Sequence, residues 1–242
     1  MAIMPPVDSL LAELRGVFGD RLGTLLTFGS QASAPDQTGA SSAAASGRLL
    51  HTLAVVDTVT FVDLAACASL SAGWMRRGLA TPLILGADEL RRSFDAFPLE
   101  FAEIMATRRL IAGNDPLAPA VIKPEDLRRA CEVQARSHLL HLREGYIEAA
   151  GRTSAVAALV TSSAAPFKAL LRNVARLEGA DCTGSPALAA YAGTLGLPAS
   201  VLERLQASGK SAAIKRADAA RLYTDCLDAA ERLARYVDQL AR

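Results

Sequence analysis

Gly29 and Ser30 are the residues of this chain whose types and position best suit the binding of phosphate. They follow the apolar run at residues 22–28 and open a loop rich in serine, alanine and glycine at residues 31–47. An apolar strand that ends in Gly-Ser, followed by a loop and a second strand, is an arrangement found at phosphate sites. The alternative interpretation is a plain turn in which glycine permits the required backbone angles.

The second apolar run, Leu49–Val56, contains no acidic residue. Two carboxylates at positions i and i+2 of a strand lie on one face, where both can hold magnesium. His51 is the one ionisable residue of this run, and on an apolar strand we interpret it as a hydrogen-bonded histidine. The sequence therefore places a candidate phosphate site beside a strand that lacks a metal-binding pair.

No other set of reactive side chains forms a recognisable site. His138 and His141 are neighbours on a predicted helix, but no cysteine or acid completes a metal set with them. Four Arg-Arg pairs are interleaved with acidic residues, and a net charge of +1 gives no general attraction to nucleic acid or to an anionic membrane. The four cysteines lie far apart and are expected to be free thiols in a reducing cytosol: Cys67, Cys131, Cys182 and Cys226.

The first half of the chain alternates strands with helices, which indicates a sheet layered with helices. The apolar periodicity from Val7 to Phe18 predicts a first helix. Thr60 and Asp63 have the spacing of a capping box at the start of another helix. That helix is expected to end at Gly78 and to bury one face, which includes Phe61, Leu64, Cys67 and Trp74. The remaining predicted elements are strands at 22–28, 49–56, 82–85 and 108–112, a short helix at 87–93, and an alternating stretch at 97–104.

The second half is predicted to be a helical bundle, since strand patterns disappear from Pro124 onward. A helix over 153–178 contains Pro166, which is expected to kink or break it. The last helix carries residues at three- and four-residue steps that pack on other helices, inside the domain or across a dimer. We call these residues the C-terminal seam: Tyr223, Cys226, Ala230, Leu233, Val237 and Leu240. The predicted domains are residues 1–118 and 119–242.

The composition is that of a folded soluble protein, with 51% hydrophobic and 21% charged residues. Residues 1–6 lack the basic segment and apolar core of a signal peptide. The longest uncharged stretch, residues 183–202, contains glycines and prolines that argue against a membrane span. We therefore expect a cytoplasmic protein without a membrane partner.

The order of several segments resembles the kanamycin-nucleotidyltransferase-like branch of the DNA polymerase β superfamily, and in particular bacterial nucleotidyltransferase-domain proteins. The resemblance covers about the first 150 residues loosely; beyond them it lies only in the helical character. The segments that carry it are Leu25–Ser30, Leu53–Asp57, Phe97–Ile104, Gly113–Leu117 and Leu139–Tyr146. The resemblance implies an α/β (α+β) domain with a mixed sheet, followed by an all-α helical bundle.

In active members of this superfamily, a serine and nearby amides hold the nucleotide phosphates, and carboxylates position two magnesium ions. At the positions of this sequence that correspond to the motif, Gly29 and Ser30 are present. The positions of the paired acids fall near Leu49 and His51, so neither acid is present. The resemblance implies that Glu100 is the one remaining candidate for a third, catalytic carboxylate. Magnesium and a nucleotide are then implied as cofactors only if the site is active.

Three hypotheses follow. The first is a degenerate transferase that binds a nucleotide or a protein partner without transferring a nucleotide. The second is an active, divergent enzyme that modifies a small molecule or a protein through Glu100 and a repositioned acid such as Asp36 or Asp57. The third is an interaction module or homodimer that pairs through its C-terminal helices. We favour the first, because the carboxylate pair is missing.

Overall fold

The computed structural model describes residues 5–29, 49–180, 182, 184–206, 214 and 218–240. Contacts divide the chain into two compact units, one up to Ile122 and one from Lys123. The domain boundary placed between residues 118 and 119 stays a prediction. The predicted loop at 31–47, together with Ser30 and Asp36, lies outside the described residues.

A mixed four-stranded sheet forms the centre of the first unit. Its strands are β1 (Leu22–Phe28), β2 (His51–Val56), β3 (Leu83–Gly86) and β4 (Arg109–Gly113). Their order across the sheet is β3-β2-β1-β4, with β1 antiparallel to both of its neighbours and β2 parallel to β3. The sheet confirms the fold class inferred from the sequence.

Helices cover both faces of this sheet: α1 (Pro5–Phe18), α2 (Phe61–Arg76), α3 (Ala87–Arg91) and α4 (Pro98–Thr107). Leu25 belongs to a core cluster with α1 and α2, whereas Leu26 belongs to a cluster with α3 and α4. This alternation is expected of a strand buried on both faces. The carboxylate of Glu13 on α1 accepts hydrogen bonds from Trp74 Nε1 at 2.7 Å and from Arg77 at 2.6 Å.

The prediction of an alternating stretch at residues 97–104 was wrong, because Phe97 is the N-cap of α4 and residues 98–104 form the first part of this helix. Pro98 stands in the first turn, where a missing amide hydrogen costs nothing. Pro98, Phe101 and Ile104 are buried at three-residue steps, which is the spacing of one helical face.

The capping box of α2 is confirmed, since the Thr60 side chain accepts from the Asp63 amide and the Asp63 carboxylate accepts from the Thr60 amide. The predicted buried face of this helix was partly wrong. Cys67 and Trp74 are buried, but Phe61 is 83% exposed and Leu64 is 48% exposed. Asp63 takes the inward position because Arg21 pairs with it there.

The second unit consists of five described helices: α5 (Pro124–Ala149), α6 (Thr153–Leu177), α7 (Ser185–Thr194), α8 (Ala199–Gln206) and α9 (Ala219–Gln239). This confirms the all-helical second half. The helix α6 continues through Pro166, so the predicted break is absent. Proline has no amide hydrogen, so the Ser162 carbonyl lacks its usual donor four residues ahead.

The C-terminal seam packs inside the bundle. Tyr223, Ala230, Leu233 and Val237 are all at most 6% exposed, and α9 lies against α5 and α6. Tyr223 also stacks on Tyr146 of α5 and donates a hydrogen bond to the Leu142 carbonyl at 3.2 Å. These four seam residues therefore belong to the core of their own unit, whereas Cys226 and Leu240 are partly exposed.

Among the described residues, α6 is the one helix that is long and apolar enough to cross a membrane by length and composition. Lys168, Arg172 and Arg176 follow Pro166 in the same helix. A single helix of this kind is weak evidence for a membrane span. None of the four cysteines forms a disulfide, as the sequence predicts.

Candidate functional site

The end of β1 and the start of β2 lie side by side, because Phe28 pairs with His51 in the antiparallel register. Gly29 follows with a φ of +85°, a left-handed conformation that favours glycine. Its amide donates a hydrogen bond to Thr107 Oγ1 at 2.8 Å, and the Thr107 hydroxyl in turn donates to the Glu103 carbonyl at 2.7 Å. The Gly29 amide, the first donor of the predicted phosphate cradle, thus has an internal partner at the end of α4.

His51 is the first residue of β2, and Leu49 lies two residues before this strand. Leu49 is partly exposed and His51 is exposed, with its ring centroid 5.6 Å from that of Phe28. The resemblance places the metal-binding carboxylates near these two positions. Across the described ranges there is no group of three or more His, Cys, Asp or Glu side chains that could hold a metal ion.

Glu100 lies in the first turn of α4 with an exposed side chain. Thr107, which contacts Gly29, is seven residues further along the same helix, a separation of about 10 Å along its axis. The structure therefore puts Glu100 and Gly29 near opposite ends of α4, and the catalytic role of Glu100 stays a prediction. Asp57 follows the far end of β2, about 20 Å along the strand from His51.

No sequence pattern predicts the part-buried ion pair that fixes the start of α2, in which Asp63 is buried and Arg21 is partly exposed. The Arg21 guanidinium donates to both carboxylate oxygens of Asp63, at 2.9 and 2.7 Å. The Thr60 amide and hydroxyl donate to the same carboxylate at 2.9 and 2.8 Å. These hydrogen bonds hold the pKa of Asp63 well below its usual range, and the bond from Arg21 has the largest effect. The capping box is visible in the sequence, but its arginine partner lies 42 residues away.

The lowered pKa of Asp63 predicts a loss of stability in acid. A carboxyl whose folded pKa is depressed stabilises the fold above its unfolded pKa, near 4, and this contribution is lost as the pH falls below that value. We expect Asp63→Asn to be destabilised at pH 7 and to lose less further stability than wild type between pH 5 and pH 3. Urea unfolding followed by the fluorescence of Trp74, the single tryptophan, measures this. Asp20→Asn, at an exposed position, should have the stability and pH dependence of wild type. If Asp63→Asn lost as much stability as wild type between pH 5 and pH 3, the assignment of the acid sensitivity to Asp63 would be contradicted.

Three chains among the solved structures match this one. The chain superposes on the crystal structure of the spectinomycin adenyltransferase from Enterococcus faecialis with a TM-score of 0.59 and 13% sequence identity. The match covers 95% of this chain and 98% of that one. No family model matches the chain, and no curated protein matches it significantly. At this identity the likeness shows a nucleotidyltransferase-like fold with a C-terminal helical region.

Proposed function

We propose that this protein is a degenerate nucleotidyltransferase that no longer transfers nucleotides and acts by binding a nucleotide or a protein partner. The observation that supports this most is the pairing of Phe28 with His51. This pairing brings Gly29, in the candidate phosphate turn, beside the start of β2. Leu49 and His51 occupy the positions there at which the resemblance implies carboxylates.

Nucleotidyl transfer depends on neutralising phosphate charge and on placing the attacking and leaving oxygens in line, which the two metal ions accomplish. The described residues at this position supply no carboxylate for such ions. The bond from the Gly29 amide to Thr107 further removes a donor that a phosphate would otherwise use. The missing carboxylates favour a loss of transfer, whereas the Gly29–Thr107 bond means that a bound phosphate would be held by other donors.

A nucleotide is the first ligand to test, because the structural neighbour was crystallised with ATP and spectinomycin. Magnesium can accompany a nucleotide when its phosphates supply most of the ligands. Since none of the four cysteines forms a disulfide, a reducing compartment such as the cytoplasm suits the protein.

The two alternatives have less support. An active enzyme would need Glu100 and another acid to converge on Gly29, yet Glu100 lies about two helical turns from the contact of α4 with Gly29. Pairing through the C-terminal seam would need side chains that are buried in the bundle.

The proposal predicts binding without turnover. We expect calorimetry with ATP, CTP, GTP and UTP, in the presence of magnesium or manganese, to detect a nucleotide complex, and a pyrophosphate assay to detect no release. The spectinomycin adenyltransferase with ATP and spectinomycin is the positive control. Glu100→Ala should leave binding unchanged. Pyrophosphate release that Glu100→Ala abolishes would establish the active enzyme instead, and the absence of heat with all four nucleotides would rule out the nucleotide as the ligand.

The same experiment can test why transfer was lost. The double variant Leu49→Asp with His51→Asp restores carboxylates at positions i and i+2 and should make nucleotide binding tighter in magnesium than without it. The neutral double variant Leu49→Asn with His51→Asn is its matched control. Equal affinities of the two variants in magnesium would show that these positions do not face the bound phosphates.

A further inference from the structure

The solvent-facing side of α2 carries no charge over most of its length. Within Phe61–Met75, all of which the structure describes, the one charged residue is Asp63, which is buried and paired with Arg21. The first charge on the exposed side is Arg76, the last residue of the helix. Helices on the surface of soluble proteins place charged and polar residues on their outer face, so the outer face of α2 has the composition of a covered one.

Five exposed apolar residues of α2 form a stripe along this face, which we call the α2 stripe. They recur at steps of four and three residues, the spacing of a seam between two packed helices: Phe61, Ala65, Ala68, Ala72 and Met75. Phe61 and Met75, at its two ends, are 83% and 59% exposed, and Val62 and Leu64 beside Phe61 are exposed as well. Together these residues present several hundred Å² of apolar surface, an amount that marks an interaction site in a soluble protein.

The other side of α2 is already used within the first unit. Cys67 and Trp74 lie in the core cluster that contains residues of α1 and β1. A helix that lies on a membrane surface has a polar face toward water, rich in lysine and arginine, whereas α2 has apolar residues on both sides. This arrangement favours a protein partner, because a second helix can pack on the α2 stripe while the first unit stays intact.

The α2 stripe is self-complementary when two copies of the helix pack antiparallel. If Ala65 of one copy lies level with Ala68 of the other, Phe61 lies level with Ala72, because both are reached by a step of four residues. The large ring then packs over a small residue, and the alanines between the ends allow the two helix axes to approach to about 8 Å.

The charges at the two ends of α2 also match in this arrangement. A further step of four residues brings Arg76 of one copy level with Asp57 of the other, and both residues are exposed. Parallel packing would instead bring the two Arg76 side chains together, where their like charges repel. The exposed charges therefore favour the antiparallel arrangement.

We propose that two copies of this chain associate through the α2 stripe, antiparallel about a two-fold axis between Ala65 and Ala68, with Asp57 and Arg76 paired at each end. A helix pair of this length buries less than the roughly 800 Å² per partner of a standard interface, so the dimer should be weak, with a dissociation constant in the micromolar range. The start of α2 follows the end of β2 that is remote from Gly29, and the proposal does not depend on nucleotide binding.

Sedimentation equilibrium of the full chain, from low micromolar to several hundred micromolar, tests the proposal. We expect the mass of wild type to rise from that of one chain to that of two and no further, because a two-fold interface closes at two copies. Ala68→Arg places an unpaired charge in the contact and should raise the dissociation constant about tenfold or more. Ala190→Arg, the same change at an exposed alanine of α7, should associate as wild type. Arginine is a good helix former, and circular dichroism with thermal unfolding verifies that each variant is folded.

A charge swap separates this arrangement from non-specific association of apolar surface. Arg76→Glu alone should weaken the dimer several-fold, because it places a carboxylate beside Asp57 of the other copy. Arg76→Glu together with Asp57→Arg reverses both partners of each pair and should restore the association. Phe61→Ser, which removes the large ring and keeps these charges, should weaken the dimer as well.

Three results would overturn the proposal: the mass of one chain at every concentration, association that Ala68→Arg leaves unchanged, or growth beyond two copies. Failure of the charge swap to restore the dimer would overturn the antiparallel arrangement. Sedimentation of a monomeric wild type with phosphatidylglycerol vesicles would assign the α2 stripe to a membrane surface instead. Because no nucleotide is present, each result is independent of the proposed function.

Discussion

Gly113→Ala is expected to destabilise the first unit by roughly 2–5 kcal/mol, combining left-handed strain with overpacking. Gly113 ends β4 with a φ of +80°, a conformation that costs an L residue free energy. An ideal Cβ at this position would lie 1.9 Å from the Gly23 carbonyl oxygen and 2.9 Å from its carbon. Both atoms belong to the backbone of β1, so no side-chain rotation relieves the contact.

Two glycines of the same sheet region provide matched controls for this prediction. At Gly23 a Cβ would meet only the Val55 carbonyl oxygen at 3.6 Å, so Gly23→Ala should change the unfolding free energy by less than about 1 kcal/mol. At Gly29 a Cβ would meet only the His51 side chain, at 3.9 Å, but φ is +85°. Gly29→Ala should therefore lower the unfolding free energy by about 1–2 kcal/mol through backbone strain alone. Denaturant unfolding followed by Trp74 fluorescence ranks the three variants. Equal effects of Gly23→Ala and Gly113→Ala would contradict the close approach of β4 to β1.

The sheet could be predicted because its strands are apolar on both faces and are bounded by polar or turn residues. Leu22–Phe28 is an example, with Leu25 and Leu26 buried on opposite faces. The helix at residues 98–104 could not be predicted, because the sequence of residues 97–104 contains two apolar periods. Phe97, Leu99 and Phe101 are spaced two residues apart, as in a strand. Pro98, Phe101 and Ile104 are spaced three residues apart, as on one face of a helix. The proline at the helix start decides between these periods.

The orientation of α2 could not be predicted from its apolar residues, because an acid holds one of the buried positions. Asp63 turns inward to meet Arg21, and Phe61 and Leu64 are consequently exposed. Local sequence shows the capping box, but the identity of the cation that pairs with its carboxylate depends on tertiary structure.

Some features of the candidate site can likewise be predicted from local sequence, whereas others depend on tertiary structure. The sequence of residues 49–56 alone shows that this run contains no acidic residue. The register of the sheet then places His51 beside Phe28. The bond between Gly29 and Thr107 joins residues 78 positions apart, and no local pattern predicts it. The distance of Glu100 from this contact likewise depends on α4 being a helix.

Leu233→Ala is expected to destabilise the helical bundle by about 2–5 kcal/mol while leaving the oligomeric state unchanged. Leu233 is 1% exposed on α9, which packs against α5 and α6 of the same chain. Truncation removes buried methyl groups and leaves a cavity, because close-packed helices relax only partly around it. Urea unfolding followed by circular dichroism measures the change, and light scattering measures the mass.

Leu140→Ala is the matched control, since it makes the same chemical change on α5 at a leucine that is 54% exposed. It should cost less than about 1 kcal/mol, because little apolar surface is buried there. The comparison separates two roles for the C-terminal seam. If the seam joined two copies, Leu233→Ala would lower the mass at constant helical content, and that outcome would contradict its placement in the core. A large loss of stability at unchanged mass would instead support the placement of Leu233 in the core of its own unit.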